Sequence, residues 1–530
     1  MKKDKPVFNS FKEYRPYQLE ATDSIISGDK KVFFLDAPTG SGKSLIGMTV
    51  GQQYLHSLYL CTTKPLQHQL TKDFPGIPIL MGRGNYPCVL SPAFEEAFPE
   101  ISCEDCPRPS SRAPQMDASE APDEILEHED CRKRCRYRLA KKSAQEAHIA
   151  ILNSAYYLYE TNYSGAFKAR SMIIVDEADK IEEQLVKFVS LRISDRILNR
   201  LQMEKPKYKT KVENWKEWAK HYYPFISKES IDAKLRVMQS KFRDIQAVRW
   251  NKTISALLNK LSMFINIVDE TWLYQEYEKY VEFKPTWVSS AAKIYLWDTG
   301  QRFLLMSATI LNPEYMGKIL GLESSDWDYF QIPSQFPAER RQVRYLPIAN
   351  ITHKTAHQEI QKVVEPIKKI LDRHPRDKGL IHTVSYTNAQ YVYSHVNHDG
   401  RLIGHDTSGR QALLKMFRES KDPLVIVSPS MDRGVDLPYD LCRFIIILKI
   451  PYPDLSDKQI SARVYSSNFG QRWYNWTTAC TIVQMSGRGM RAADDQCTVY
   501  ILDKQFEIFY GRNHKFFPIW YKEAIVIEEE

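Results

Sequence analysis

Two parallel-sheet α/β domains, the first interrupted by two insertions, are the architecture predicted by this sequence of 530 residues. Three observations predict it. An apolar run at 31–37 (KVFFLDA) leads through a Gly-rich turn into an apolar helix pattern, and a second strand-and-helix unit follows at 57–74. A further series of short apolar runs, separated by helical stretches, occupies the chain beyond about residue 340. Between these regions, two segments lose the alternation. Short apolar runs of four to eight residues alternating with helical periodicity read as a parallel sheet.

Each element follows in order. Residues 1–82 hold the first strands and helices. Residues 83–138 turn rich in Pro, Cys, Asp, Glu and Ser, with little periodicity, and read as an insertion held by something other than an apolar core. Alternation resumes over 139–184, through the helical stretch before AILNSAYYL and the strand SMIIVDEAD (171–179). Residues 185–285 are rich in Lys, Glu and aromatics, with apolar residues at helical spacing, and predict a mostly helical insertion. FLLMSAT (303–309) returns to the first domain, which closes over 286–338. GLIHTVSY, PLVIVSPS, RFIIILKI and CTVYILD then supply strands for a second domain over 339–530.

Composition excludes several classes. Hydrophobic residues are 43% and charged residues 26%, values of a globular chain rather than a disordered or fibrous one. No apolar stretch approaches the ~20 residues needed to span a bilayer. The N-terminal MKKDKPVFNSFKEYRP has no apolar h-region, so an intracellular protein is expected, cytoplasmic with the nucleus left open, and no membrane partner. The net charge of +8 allows a polyanionic partner without demanding one.

Residues 37–44 read Ala37-Pro38-Thr39-Gly40-Ser41-Gly42-Lys43-Ser44. This is a phosphate-binding loop with Ala37 at the first glycine position. Its backbone N–H groups can cradle phosphates, Lys43 can reach the β- and γ-phosphates of ATP, and Ser44 can hold Mg²⁺. The helix that follows adds a favourable dipole. Such a loop needs a carboxylate at the end of another strand. Asp176 is expected to hold Mg²⁺ and Glu177 to polarise the attacking water.

Five of the nine cysteines, Cys88, Cys103, Cys106, Cys131 and Cys135, fall in the first insertion. A C-x₂-C pair with flanking thiolates can hold a [4Fe–4S] cluster or zinc, and spacing alone leaves both open. Metal binding would hold a segment with so few apolar residues.

The order of motifs resembles superfamily 2 helicases. Arg15-Pro-Tyr-Gln18 lies where that superfamily reads adenine. Thr62, Thr63 and Lys64 match its nucleic-acid backbone motif. Asp176-Glu177-Ala178-Asp179 is the acidic box, and Ser307-Ala-Thr309 the motif coupling hydrolysis to movement. Gln484-Met-Ser-Gly-Arg488-Gly-Met-Arg491 resembles the final motif. Arg488 and Arg491 can face the γ-phosphate only when the two domains close, and arginine fingers of this kind are worth roughly 10³–10⁵ in rate.

The resemblance narrows to the XPD/DinG family, over about residues 15–504. Gly82-Arg-Gly-Asn-Tyr-Pro-Cys88 is similar to the start of that family's iron–sulfur domain and Cys135-Arg-Tyr137 to its end. The 428–455 segment, with Gly434 and Asp436, is similar to another of its motifs. The resemblance implies two RecA-like parallel-sheet domains, an iron–sulfur insertion and a helical arch-like insertion. It favours iron–sulfur over zinc, with Cys88, Cys103, Cys106 and Cys135 as ligands and Cys131 in reserve. It implies an ATP-dependent, Mg²⁺-dependent helicase acting on single-stranded and forked duplex DNA, with 5′→3′ movement, and Arg83 and Tyr137 near the strand-separating pore. Two departures stand out: Asp179 where the family usually has His, and Arg433 where it usually has Glu.

Aromatics interleave with basic residues at 211–223 and 471–476, a pattern open both to base stacking and to helix packing. The Asp-Glu-Ala-Asp box prompts a competing reading, an RNA helicase or remodeller without iron. A module in which ATP only switches nucleic-acid affinity is a third. Glu177, Arg488 and Arg491 argue against it. A fused nuclease finds no support: about 15 residues precede the first motif, and no nuclease pattern follows 504.

Overall fold

The structure is a computed structural model that describes residues 8, 10–86, 133–240, 244–352, 356–396, 399–405, 409–429, 431, 437–490 and 494–528. Its strands in chain order are β1 (Val32–Asp36), β2 (Ser57–Cys61), β3 (Ile79–Leu80), β4 (Ile149–Asn153), β5 (Arg170–Asp176), β6 (Leu191–Ser194), β7 (Leu273–Glu276), β8 (Tyr280–Lys284) and β9 (Gly300–Ser307). β10 (Trp327–Gln331), β11 (Val343–Ala349), β12 (Gly379–His382), β13 (Leu402–Gly404), β14 (Val425–Ser428), β15 (Phe444–Ile447), β16 (Thr498–Asp503) and β17 (Ile525–Ile527) follow.

Two seven-stranded sheets organise them, in the orders β10-β1-β9-β5-β2-β4-β3 and β13-β14-β12-β15-β16-β11-β17. Every strand pairing within them is parallel. Parallel sheets are covered by helices on both faces, so their strands read as continuous apolar runs rather than alternating ones. Val32–Leu35 and Met172–Val175 are buried without exception. The predicted pair of α/β domains is therefore the observed architecture.

Side-chain alternation still assigns each residue to a face. Phe33, Leu35, Tyr59, Ile174 and Met306 pack with Leu45, Met48 and Val50 of the helix Lys43–Gly51. Phe34, Leu58, Ile173, Val175 and Leu305 face the other way, into a core that continues into the second domain. Asp176, two residues beyond Ile174, lies on the side of the phosphate-loop helix.

The second insertion differs from expectation in part. It has the long helices Val212–Gln239 and Ile245–Ile267. It also carries an antiparallel sheet, β6-β8-β7, which the helical periodicity did not reveal. The aromatics of 211–223 belong to its interior: Trp215 and Trp218 are buried, packing on each other and, through Trp215, on Phe283 of β8. β11 and β17 in the second domain were also unforeseen. No described helix is long and apolar enough to cross a membrane.

Candidate active site

The phosphate loop leaves β1 at Ala37, whose N–H donates to Ser307 O at 2.9 Å, and enters the helix Lys43–Gly51. Gly40 and Gly42 take φ of 80° and 81°, the left-handed region where a side chain is strained. Gly42 is doubly required, because a Cβ there would lie 2.1 Å from Gln18 Nε2. Gln18 is buried and braces the loop. Its Nε2 donates to Ser41 O at 2.8 Å and Gly42 O at 3.3 Å, while its Oε1 accepts from Arg15 N at 2.8 Å. Lys43 Nζ donates to Ala37 O at 2.8 Å and Pro38 O at 3.3 Å, which keeps the ammonium at the loop.

Asp176 ends β5 with 4% exposure. Its Oδ2 accepts from Tyr59 Oη at 2.8 Å and its Oδ1 from Glu177 N at 2.9 Å. Burial pushes its carboxyl above the usual range, and the nearby Lys43 cation opposes the shift. Glu177 takes φ of 52°, which turns its side chain out of the sheet. Its Oε2 accepts from the Thr62 hydroxyl and from Lys180 Nζ at 2.7 Å. Ser44 and Asp176 present hard oxygen donors beside Lys43, a donor set that suits Mg²⁺ and a nucleotide's phosphates.

Asp179 is the bridge of the site. Its Oδ1 accepts from Ser307 Oγ at 2.7 Å and its Oδ2 from Gln484 Nε2 at 2.8 Å. Gln484 Nε2 also donates to Thr309 Oγ1 at 2.7 Å. Gln484 belongs to the second domain, on the helix Asn468–Ser486. Two more residues of that helix, at i−4 and i−8, reach the same segment. Cys480 Sγ donates to Thr309 O at 3.3 Å and Trp476 Nε1 to Ile310 O at 3.1 Å. One helix face thus lies along the exit of β9. Of the aromatics of 471–476, Trp476 serves this contact, while Trp473 is buried against Trp287.

The helix ends at Gly487–Gly489, opposite the phosphate loop. A Cβ on Gly487 would sit 3.7 Å from Thr39 Oγ1, and Arg488 lines the same cleft. The cleft has a volume of about 510 Å³ and is walled by Gln18, Gly40, Lys43, Asp176 and Glu177 on one side and by Gln484 and Arg488 on the other. Burial, followed by the Arg488 cation, lowers the His382 pKa to about 3, so this strand-end imidazole is neutral.

The structure brings Gln18, the loop residues 37–44, Asp176, Glu177, Gln484 and Arg488 together. Arg491, Gly434 and Asp436 lie outside the described residues, as do Cys88, Cys103, Cys106 and Cys131. Cys135 is described, a partly buried free thiol just before the helix Arg136–Glu146. Among the described residues no group of three or more His, Cys, Asp or Glu is arranged to hold a metal.

The residues expected on the nucleic-acid path lie around the start of the helix Lys64–Asp73 and at the ends of the first insertion. Thr62 is engaged with Glu177, and Thr63 caps the helix Lys64–Asp73, accepting from Leu66 N at 3.4 Å. Lys64 opens that helix, exposed. Tyr137 is 5% exposed, and its hydroxyl lies 2.5 Å from Tyr156 Oη and donates to Glu160 Oε1 at 3.1 Å. Arg83 covers the Tyr137 ring at 5.2 Å and pairs with Glu160 at 3.5 Å. Lys141 completes this cluster, 2.6 Å from Glu160 Oε2. Both ends of the first insertion are thereby fastened to one buried carboxylate.

Beside Lys180, two further residues escaped the sequence reading. Tyr59 is one. Asp36, at the end of β1, is the other: it accepts from Leu311 N at 3.0 Å and Tyr329 Oη at 3.1 Å, and burial pushes its carboxyl up to about 6. The signal for Asp36 was a lone acid closing a wholly apolar strand.

Comparison with known proteins bears on the fold and its relatives. Residues 367–524 match a family model described as a helicase C-terminal domain, and residues 11–208 one described as the res subunit of type III restriction enzymes. The chain is 22% identical to the ATP-dependent DNA helicase XPD of Sulfolobus acidocaldarius, over 94% of this chain and 97% of that protein. Among solved structures, an XPD helicase superposes with a TM-score of 0.63 at 18% identity, covering 97% of this chain and 99% of the other. An apo XPD gives 0.58 at 17% identity, covering 96% and 100%. These structural likenesses establish a shared fold.

Proposed function

We propose that this XPD-like helicase hydrolyses ATP in the cleft between its two α/β domains and uses the closing and opening of that cleft to move along single-stranded DNA and part duplex. The observation that carries the reading is Asp179, which joins Ser307 of the first domain and Gln484 of the second at the floor of the cleft.

Lys43 and the loop N–H groups bind and orient the phosphates. Ser44 and Asp176 would hold Mg²⁺, which neutralises phosphate charge when bound. Glu177, held by Thr62 and Lys180, accepts a hydrogen bond from the attacking water and aligns it. Arg488, with Arg491, meets the charge that develops on the transferring phosphoryl group. Because Gln484 and Arg488 share one helix end, the contact that closes the cleft also positions the cation.

The finer points rest on family resemblance. They are DNA in preference to RNA, forked duplex as substrate, 5′→3′ movement, and a [4Fe–4S] cluster on Cys88, Cys103, Cys106 and Cys135. Protein purified without oxygen tests the choice of DNA and the cluster together. Roughly four irons with matching sulfide, and hydrolysis stimulated by single-stranded DNA, is the expected result. A protein with zinc or no metal that responds to RNA instead overturns the DNA and iron–sulfur assignments.

A further inference from the structure

Strand β2 places one tyrosine beneath the nucleotide site. Tyr59 pairs with Ile174 in the parallel register of β2 and β5, so Asp176 lies two residues further along the neighbouring strand. Two residues of strand span about 7 Å, close to the reach of a tyrosine side chain. The ring lies on the face of the sheet that carries the phosphate-loop helix. Gly47 of that helix gives it room: a Cβ there would approach Tyr59 Cε2 at 3.0 Å and Met306 Cε at 2.7 Å. The Tyr59 side chain is wholly buried. Its hydroxyl donates to Asp176 Oδ2 at 2.8 Å.

Asp176 is the strand-end carboxylate expected to hold Mg²⁺, and the Tyr59 hydroxyl is bonded to it from beneath. We infer that Tyr59 is a positioning residue for the divalent cation, fixing the Asp176 carboxylate in one orientation. The inference rests on the nucleotide reading given above. Its physical basis is general: partners behind metal ligands restrict the ligands' rotation and keep the correct lone pairs directed at the ion. With Oδ1 held by the Glu177 N–H and Oδ2 by the Tyr59 hydroxyl, the carboxylate plane cannot rotate.

Tyr59→Phe removes one oxygen and leaves the ring. Mn²⁺ serves as the probe, bound in the presence of ADP and measured by electron paramagnetic resonance. ADP affinity is measured in parallel in EDTA. The expected result is Mn²⁺ affinity weaker by about 10–100-fold, with metal-free ADP affinity unchanged. Mn²⁺ affinity equal to the parent's overturns the inference. Loss of ADP binding in EDTA also overturns it, since Tyr59 would then serve packing alone. A parent protein that binds no Mn²⁺ with ADP refutes the nucleotide reading itself, a result that does not depend on the variant.

Discussion

Replacing Gln484 by Ala cuts the contact through which the second domain holds the acidic box. Two hydrogen bonds are lost, one to the Asp179 carboxylate at 2.8 Å and one to the Thr309 hydroxyl at 2.7 Å. A bond to a charged group contributes about 1.5–3 kcal/mol and a neutral one about 0.5–1.5 kcal/mol. Both lie at the edge of a cleft open to water, so the lower end applies, about 2 kcal/mol in all. If these bonds form fully only in the closed state, the loss falls on the hydrolytic step. At 1.36 kcal/mol per decade, that is roughly a 30-fold fall in kcat. The assay is steady-state ATP hydrolysis with saturating single-stranded DNA, repeated for Asp179→Asn and for the double variant. Because the two residues share one bond, the double variant should be little worse than either single one. A Gln484→Ala enzyme within twofold of the parent would refute the argument, as would losses that simply add. Either would mean that closure does not pass through Asp179.

Three further outcomes follow from the packing. Glu160→Ala strands the Lys141 ammonium, which is 9% exposed, and breaking such a pair costs about 3–5 kcal/mol. Thermal melting should fall on the order of 10 °C, with faster hydrogen exchange at 136–146; an unchanged melt contradicts the clamp. Gly470→Ala places a Cβ 1.6 Å from Arg463 O, a backbone atom that cannot swing away. That variant should melt well below the parent, and equal stability would contradict the close approach of Gly470 to Arg463 of the preceding helix Lys458–Ser466. Asp503 is 1% exposed, and burial lifts its pKa from the ordinary 3.8 to about 6, against hydrogen bonds from Ile450 N and Gln505 N. A raised carboxyl favours folding below the unfolded value and loses that contribution as pH climbs through the folded one. Asp503→Asn should therefore gain on the parent by ~3 kcal/mol between about pH 4 and pH 7. A pH-independent difference in melting contradicts it.

The parts of the site that were legible are local in the chain. Ala37–Ser44 is a contiguous loop whose glycines answer to backbone geometry, and the acidic box closes an apolar strand. Arg488 follows the helix Asn468–Ser486 by two residues, so its place beside Gln484 is local as well. What was hidden depends on register and docking. Tyr59 reaches Asp176 across 117 positions of sequence, only because β2 lies beside β5. Trp476 is open to base stacking and to helix packing alike until the helix carrying it is set against Ile310. The burial of Tyr137 was equally hidden, because its partner Glu160 lies on another element. Aromatic and basic composition describes packing and binding equally well; burial separates them. The short strands β6, β7 and β8 escaped because the long helices between them dominate the periodicity.

The central claim is that Arg488 reaches across the cleft to act on the nucleotide bound by the first domain. The direct measurement is ATP hydrolysis by Arg488→Ala beside the parent, with and without single-stranded DNA, together with ADP affinity. The account predicts a parent stimulated by DNA and a variant at least about 10³-fold slower that still binds ADP. A variant that hydrolyses ATP as fast as the parent would contradict it.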